Sequence, residues 1–95
     1  MAHFAVTYTY TDAPEQLDEH RPNHRAYLAT LVESGHLVAS GPLLETSPAQ
    51  ALLVFSAESV DQLRQMLAED PFQQLGLVAD ARIVEWNPVL GILAR

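Results

Sequence analysis

Hydrophobic and polar residues alternate at the start of the chain, and the spacing then becomes helical. Between Phe4 and Tyr10, aromatic and β-branched residues recur with a period of two, which predicts a strand. Between Tyr27 and Val32, apolar residues fall on one stripe of an amphipathic helix. We expect the regular part of this helix to begin near Pro22, which a first turn tolerates, and to end just before Gly35, a left-handed residue past its end.

The second half of the chain predicts one more helix and three more strands. Ser59 and Gln62 form a capping box that opens the helix, and Asp70 ends it because the residue before a proline is pushed out of the α region. The inner stripe of this helix is predicted to run from Val60 to Leu67. The order β-α-β-β-α-β predicts an α+β fold of the ferredoxin-like split βαβ type, an antiparallel sheet with both helices on one face. The three strands are predicted at 37–44, 51–55 and 79–86.

The third strand is apolar on both sides, which bears on the assembly of the protein. Leu52 and Val54 face one side of the sheet, and Leu53 and Phe55 face the other. Because both helices cover the same face, the opposite face needs another cover. We therefore expect a homodimer in which the helix-free sheet faces pair about a twofold axis. The alternative is a moderately apolar face exposed on a monomer.

Composition narrows the functional class. A chain of 95 residues forms one domain, predicted here as 1–95. Twelve acidic residues against five arginines give a net charge of −7, which disfavours nucleic-acid binding. No apolar run is long enough to span a membrane, and the first residues do not resemble a signal peptide, so we expect a cytoplasmic protein. The absence of cysteine excludes disulfides and thiol chemistry.

Two titratable residues are predicted to meet at one edge of the domain. The topology places the start of the first helix beside the end of the second. His24 continues the inward stripe at the first turn of helix one, and Asp70 continues it at the last turn of helix two. Each then lies at the helix end that disfavours its charged form, and proximity offsets this. We hypothesise that His24 transfers a proton and Asp70 orients the imidazole; the alternative is a purely structural pair.

Other residues are expected near the same site. Arg21 either holds an anionic substrate or pairs with a nearby carboxylate, and Tyr8 and Phe72 either contact substrate or pack in the core. His20 and His24 have a spacing that can bind a metal, but Pro22 between them argues against it and further converging ligands are lacking, so we predict no metal site. The predicted substrate-binding residues are Arg21, Tyr8, Ser40, Gly41, Pro42 and Phe72.

Several short motifs, taken in order, resemble the YCII-related (YciI-like) family. The resemblance implies a ferredoxin-like fold assembled as a dimeric α/β barrel, with a His–Asp site that maps onto His24 and Asp70. Most members of the family have no known reaction, and a few similar proteins act as cofactor-free lyases on small ring compounds. This chain departs from the family at Gln50-Ala51, where many members have Gly-Ser that could shape the pocket. The motifs are Arg21-Pro22-Asn23-His24, Gly35-His36-Leu37, Ser40-Gly41-Pro42-Leu43, Asp70-Pro71-Phe72 and Ile83-Val84-Glu85-Trp86.

The sequence thus predicts a small-molecule enzyme that uses a His–Asp pair for lyase- or isomerase-like acid–base chemistry. No glycine loop suited to phosphate is present, so we expect no cofactor. The alternative is a dimeric, non-catalytic module that binds a ligand or a partner protein. Oxygenation on the related dimeric barrel, with or without haem, is a third class that no residue here distinguishes.

Overall fold

The computed structural model describes residues 1–94, and Arg95, the last residue of the predicted domain, lies outside the described residues. The predicted element order is present, with one short helix, α3, that the sequence analysis did not anticipate. The elements are β1 (Ala2–Tyr10), α1 (Pro14–Glu33), β2 (Leu37–Leu43), β3 (Gln50–Ala57), α2 (Val60–Ala68), α3 (Pro71–Gln74) and β4 (Val78–Trp86).

The four strands form one sheet in the order β2-β3-β1-β4. Each neighbouring pair is antiparallel, so β1 and β2 run parallel to each other with β3 between them. This is the predicted ferredoxin-like arrangement, and the prediction is confirmed. Strand β3 is longer than expected because pairing with β1 continues to Ala57, opposite Ala2.

One face of the sheet is covered by α1 and α2 and is called the helix-covered face. Val6 lies between Leu53 and Ile83 in the strand register, and this row belongs to the core. Leu28 of α1 and Leu63 of α2 pack into the same core, so both helices share this face as predicted.

The other face, called the helix-free face, has no covering element among residues 1–94. Leu53 and Phe55 are buried under the helices, whereas their neighbour Leu52 is 38% exposed. Val84 and Trp86 of β4 are 44% and 42% exposed. The predicted division of β3 into two apolar sides is therefore observed, and one of these sides reaches solvent.

Helix α1 begins eight positions before the predicted start. It runs from Pro14, a proline suited to the first turn, and Pro22 lies within it. Leu17 in the added segment is buried, so this part packs as well. The predicted end is confirmed, because Gly35 has a φ of +83° and its N–H donates to the carbonyl of Val32, 3.1 Å away.

The start of α2 agrees with the predicted cap, and its inner stripe agrees in part. The Ser59 hydroxyl accepts from the backbone N–H of Gln62 at 3.1 Å. Leu63 and Leu67 are buried, but Val60 is 38% exposed rather than inward-facing. No helix within residues 1–94 is long and apolar enough to cross a membrane.

Candidate active site

Asp70 is held at the junction between α2 and α3. The sequence analysis placed it in the last turn of the second helix, but α2 ends at Ala68 and Asp70 is the N-cap of α3. Its Oδ1 accepts from the backbone N–H of Phe72 at 3.0 Å, satisfying a donor that the new helix leaves free. Pro71 follows at the first helical position, where its missing N–H costs nothing.

His24 lies near the middle of α1, one or two turns before the buried Leu28 and Leu31. The sequence analysis placed it in the first turn, and that placement is wrong because the helix begins at Pro14. The imidazole stacks on the ring of Phe72 with centroids 4.0 Å apart and planes 7° from parallel. This packing restricts the orientation of the imidazole.

The predicted contact between His24 and Asp70 is present. Nδ1 of His24 and Oδ1 of Asp70 are 2.8 Å apart, and Asp70 is 1% exposed. An ionised carboxylate only accepts hydrogen bonds, so Nδ1 carries the proton and donates, which leaves Nε2 as the basic nitrogen. Nε2 makes no hydrogen bond among residues 1–94, where no buried side-chain nitrogen or oxygen lacks a partner, so Nε2 remains in contact with solvent.

The helix-dipole argument used to pair these residues does not hold. It required His24 at a helix start and Asp70 at a helix end, whereas His24 lies mid-helix and Asp70 caps the start of α3. The two side chains meet because α1 and α3 are adjacent and because both residues face inward. Direct hydrogen bonds, and not the helix termini, define the geometry of the pair.

Tyr8 holds the second oxygen of the carboxylate. Its hydroxyl donates to Oδ2 of Asp70 at 3.0 Å. Burial, with the neighbouring Asp70 carboxylate, raises the pKa of Tyr8 well above its usual range, so the hydroxyl stays protonated and keeps donating. Tyr8 was predicted to contact substrate, but it is fully buried and does not line the cavity described next. Its contact with the pair is the hydrogen bond that holds the Asp70 carboxylate.

A cavity of about 630 Å³ opens beside the imidazole, between α1 and the strands β2 and β3. Its size falls within the usual range for small-molecule sites. Five of the predicted substrate-binding residues line it, together with His24, and Tyr8 is the exception. These five are Arg21, Ser40, Gly41, Pro42 and Phe72.

Two arginines lie at this cavity, and the sequence analysis considered one of them. Arg21 lines the wall and also forms an ion pair with Asp18, so both of its suggested roles remain compatible with the structure. Arg25, one helical turn later, lines the same wall and was missed. The spacing of four between two of only five basic residues is a signal that could have identified it.

The observed α1 changes one argument about metals. The sequence predicts that Pro22 interrupts the helix between His20 and His24, but α1 continues through it. His20 does not line the cavity, and Nδ1 of His24 is engaged by Asp70. Within residues 1–94, no three His, Asp or Glu side chains are grouped so that they could hold a metal ion.

The departure from the family pattern at Gln50-Ala51 falls directly on the site. Ala51 lines the cavity and lies opposite Tyr8 in the register of β3 and β1. Gln50 instead donates through its side-chain amide to the hydroxyl of Thr9 at 3.0 Å. A serine at position 51 would add a hydroxyl at the cavity wall, where this chain has a methyl group.

Comparison with known proteins gives a family and a fold. The family model of the YCII-related domain matches residues 1–87. The structure is similar to 5-chloro-2-hydroxyhydroquinone dehydrochlorinase from Burkholderia phenoliruptrix, solved with 2,5-dihydroxybenzoquinone, at a TM-score of 0.78 and 22% identity over 90% of this chain and 93% of that one. A search of curated proteins gives no match.

Two further similar structures have lower scores. A NIPSNAP domain protein from Burkholderia xenovorans has a TM-score of 0.57 and 16% identity over 93% of this chain and 94% of that chain. SnoaB, a cofactor-independent oxygenase from Streptomyces nogalater, has a TM-score of 0.55 and 15% identity over 97% and 96% of the two chains. At these identities, the likeness shows a shared fold.

Proposed function

Because this chain belongs to the YCII-related domain family, we propose that it is a cytoplasmic, homodimeric enzyme that performs acid–base chemistry on a small molecule. His24 is the proton-transferring residue and Asp70 is the residue that positions it. The observation that carries the proposal is the 2.8 Å bond at Nδ1 combined with a solvent-accessible Nε2 beside a cavity. An imidazole in this arrangement is suited to general acid–base catalysis near neutral pH.

The proposed step begins with transfer of a substrate proton to Nε2 of His24. In a lyase reaction, the electrons of the broken C–H bond form a double bond, and the leaving group departs with its own bonding pair. In an isomerase reaction, His24 returns the proton at another atom. Asp70 stabilises the imidazolium through the bond at Nδ1, and Tyr8 keeps the carboxylate in place. This chemistry needs no cofactor.

The cavity wall supplies the proposed substrate contacts. Ser40 offers a hydroxyl, and Gly41 and Pro42 allow close approach to the backbone of β2. Phe72 lies at the same wall and stacks on the imidazole, so it holds His24 in place beside the substrate. Arg21 contributes positive charge at the same wall, shared with Asp18.

Hydroxylated six-membered rings are the proposed substrate class. The dehydrochlorinase with a similar structure acts on 5-chloro-2-hydroxyhydroquinone and was solved with a dihydroxybenzoquinone. The size of the cavity and the hydrocarbon side chains in its wall support a ligand of that shape in this chain. The specific reaction does not follow from the fold.

The test is turnover of a panel of chlorinated and non-chlorinated hydroxyhydroquinones, followed by chloride release and absorbance. We expect His24→Gln to lower kcat by roughly 10²–10⁴-fold, the usual contribution of a positioned acid or base. His20→Gln is the matched control, since His20 lies on α1 but does not line the cavity. A substrate that the His24→Gln protein turns over at the normal rate would contradict the proposal.

A non-catalytic binding module is the second candidate, and one observation favours it. The Asp70 carboxylate joins β1, α1 and α3 through Tyr8, His24 and Phe72, which is also what a purely structural carboxylate would do. Under this alternative, His24→Gln lowers the free energy of unfolding, and ring compounds bind without being converted. Binding and turnover measured on the same panel separate the two candidates.

The proposed homodimer uses the helix-free face. Leu52 and Val54 of β3 and Val84 and Trp86 of β4 place apolar side chains on this face, and Ala5 of β1 lies between Val54 and Val84 in the strand register. Pairing this face with a second copy about a twofold axis removes that surface from water. Sedimentation of the wild-type protein at micromolar concentration tests this, and a monomer at that concentration contradicts it.

A further inference from the structure

We propose that the cavity binds a small organic anion and that Arg25 is the partner of its charged group. This inference rests on the proposed function of the same cavity and adds the charge of the substrate. The chain as a whole carries a net charge of −7, yet two of its five arginines line this one cavity. Among residues 1–94, no aspartate or glutamate lines it. The local charge of the wall is therefore opposite to that of the protein.

The two arginines differ in whether the guanidinium is paired with a carboxylate of the protein. Arg21 is paired with Asp18 on the preceding turn of α1. Arg25 forms no ion pair among residues 1–94, and its side chain is exposed to solvent at the cavity. A guanidinium presents a planar fork of donors that matches a carboxylate or another oxyanion. Arg25 is thus the cationic group available to a ligand.

The rest of the wall fits the body of such a ligand. Leu28, Leu37 and Leu53 line the cavity with hydrocarbon. A ligand with an apolar body and one anionic group would bury the first against these side chains and place the second at Arg25. A molecule that is charged all round would leave this hydrocarbon wall unused, so inorganic anions fit the cavity less well.

The position of Arg25 next to His24 in sequence also connects binding with the proposed chemistry. A ligand held by Arg25 brings negative charge to the wall that contains the imidazole. That charge stabilises the positive charge that His24 gains when Nε2 accepts a proton. Anion binding and proton transfer at this site therefore favour each other.

Benzoate and benzamide are suitable probes, because they have nearly the same size and shape and differ in charge. We expect wild-type protein to bind benzoate at least about tenfold more tightly than benzamide, as one charge-assisted pair provides. Arg25→Gln is expected to remove this preference by weakening benzoate about tenfold while leaving benzamide unchanged. Arg64→Gln is the matched control, since Arg64 is exposed on α2 and does not line the cavity. Binding is followed by NMR titration.

Three results would overturn the inference. These are equal affinity for the two probes, no binding of benzoate at millimolar concentration, and a benzoate preference that survives Arg25→Gln, whether or not Arg21→Gln removes it. His24→Gln keeps this test separate from that of the proposed function, because it removes proton transfer without removing Arg25. If His24→Gln abolishes turnover while Arg25→Gln leaves the benzoate preference intact, the anion site fails alone. If turnover survives His24→Gln while Arg25→Gln removes the preference, the catalytic proposal fails alone.

Discussion

On the helix-covered side of the sheet, Leu53 and Phe55 are out of contact with water, whereas on the helix-free side their immediate neighbour Leu52 reaches solvent. Strand β3 thus presents apolar residues to two different environments with a period of two. The covered side contains the buried hydrogen-bonded group of Tyr8, His24 and Asp70. Under the helices, burial holds polar side chains in fixed hydrogen bonds. The helix-free face instead exposes apolar side chains that a second chain can cover.

The largest expected effect comes from deleting a side chain on the helix-covered face. Phe55 is fully buried, so Phe55→Ala is expected to lower the free energy of unfolding by about 3–5 kcal/mol. The adjacent Val54 is half-buried on the other face, and Val54→Ala is expected to cost about 1 kcal/mol. Urea denaturation of both variants measures the difference. The smaller size of Val54 accounts for part of the difference, so a loss in the Val54→Ala protein as large as that in the Phe55→Ala protein would contradict this prediction.

The next effect concerns the helix-free face. Leu52→Glu is expected to weaken the proposed dimer on the order of a hundredfold, since the twofold axis introduces two buried charges at once. Val60→Glu is the matched control, because Val60 on α2 is also 38% exposed but lies on the other side of the molecule. Sedimentation velocity over a concentration series measures this. Unchanged sedimentation of the Leu52→Glu protein would exclude this face as the interface.

A smaller effect is expected when the hydroxyl that donates to Asp70 is removed. Tyr8→Phe leaves Oδ2 of Asp70 without its donor, which is expected to cost about 1–3 kcal/mol at neutral pH. Tyr27→Phe removes a hydroxyl that donates to the backbone carbonyl of Met66, an uncharged acceptor, and is expected to cost about 0.5–1.5 kcal/mol. Urea denaturation measures both, and a larger loss in the Tyr27→Phe protein would contradict the assigned role of Tyr8.

The same tyrosine is expected to make stability depend on alkaline pH. Burial raises the pKa of Tyr8 above its ordinary value of 10.0, so above that pH the unfolded chain releases a proton that the folded chain retains. The free energy of unfolding therefore falls as pH rises, by about 1.4 kcal/mol per pH unit for each such tyrosine. Below pH 10.0, where Tyr8 is protonated in both the folded and the unfolded chain, its contribution to stability is fully present. Tyr8→Phe is expected to make the alkaline slope shallower, and an unchanged slope would contradict this.

The smallest expected effect comes from restoring the family's serine at the cavity. Ala51→Ser places a hydroxyl at the cavity wall, and we expect a change of less than about 1 kcal/mol in stability and about threefold in the affinity of a ring ligand. Ala5→Ser makes the same chemical change in β1 next to Val54, on the helix-free face, and is expected to leave ligand affinity unchanged. NMR titration measures both. An equal change in ligand affinity for the two variants would contradict the placement of the ligand on the helix-covered face.

The strands and their two faces could be predicted because a period of two directly states which residues share a side. Leu52 and Leu53 were assigned to opposite faces from their positions alone, and the structure agrees. The contact between His24 and Asp70 was also predicted, from the helical spacing that turns both side chains inward and from the family resemblance. The helix ends assumed with that prediction were wrong, so the inward spacing was the sound part of the argument.

The errors at the helix ends have identifiable causes. Two prolines, Pro14 and Pro22, are both suited to a first turn, and the later one was chosen. Leu17 lies seven positions before His24, a helical spacing that favours the earlier start. Likewise, Asp70-Pro71 was interpreted as the end of a helix, although Asp at the N-cap with Pro following is equally the start of one.

Arg25 could not be assigned from the sequence because its role depends on a cavity between elements. An exposed arginine on an amphipathic helix is ordinarily a solvated residue. Its position becomes informative only when β2, from the following segment, forms the opposite wall with Ser40 and Gly41. The location of empty space depends on the distance between packed elements, which periodicity does not specify.

Three donors share the Asp70 carboxylate, so substitutions at this position are coupled to those at its partners as related sequences diverge. The Asp70 carboxylate accepts hydrogen bonds from the Tyr8 hydroxyl, Nδ1 of His24 and the backbone N–H of Phe72, and Phe72 also stacks on His24. Replacing Asp70 therefore leaves three donors without their acceptor. We expect related sequences to keep positions 8, 24 and 70 together or to exchange them together. A related sequence that has lost the Asp70 carboxylate is then expected to carry apolar replacements at all three positions.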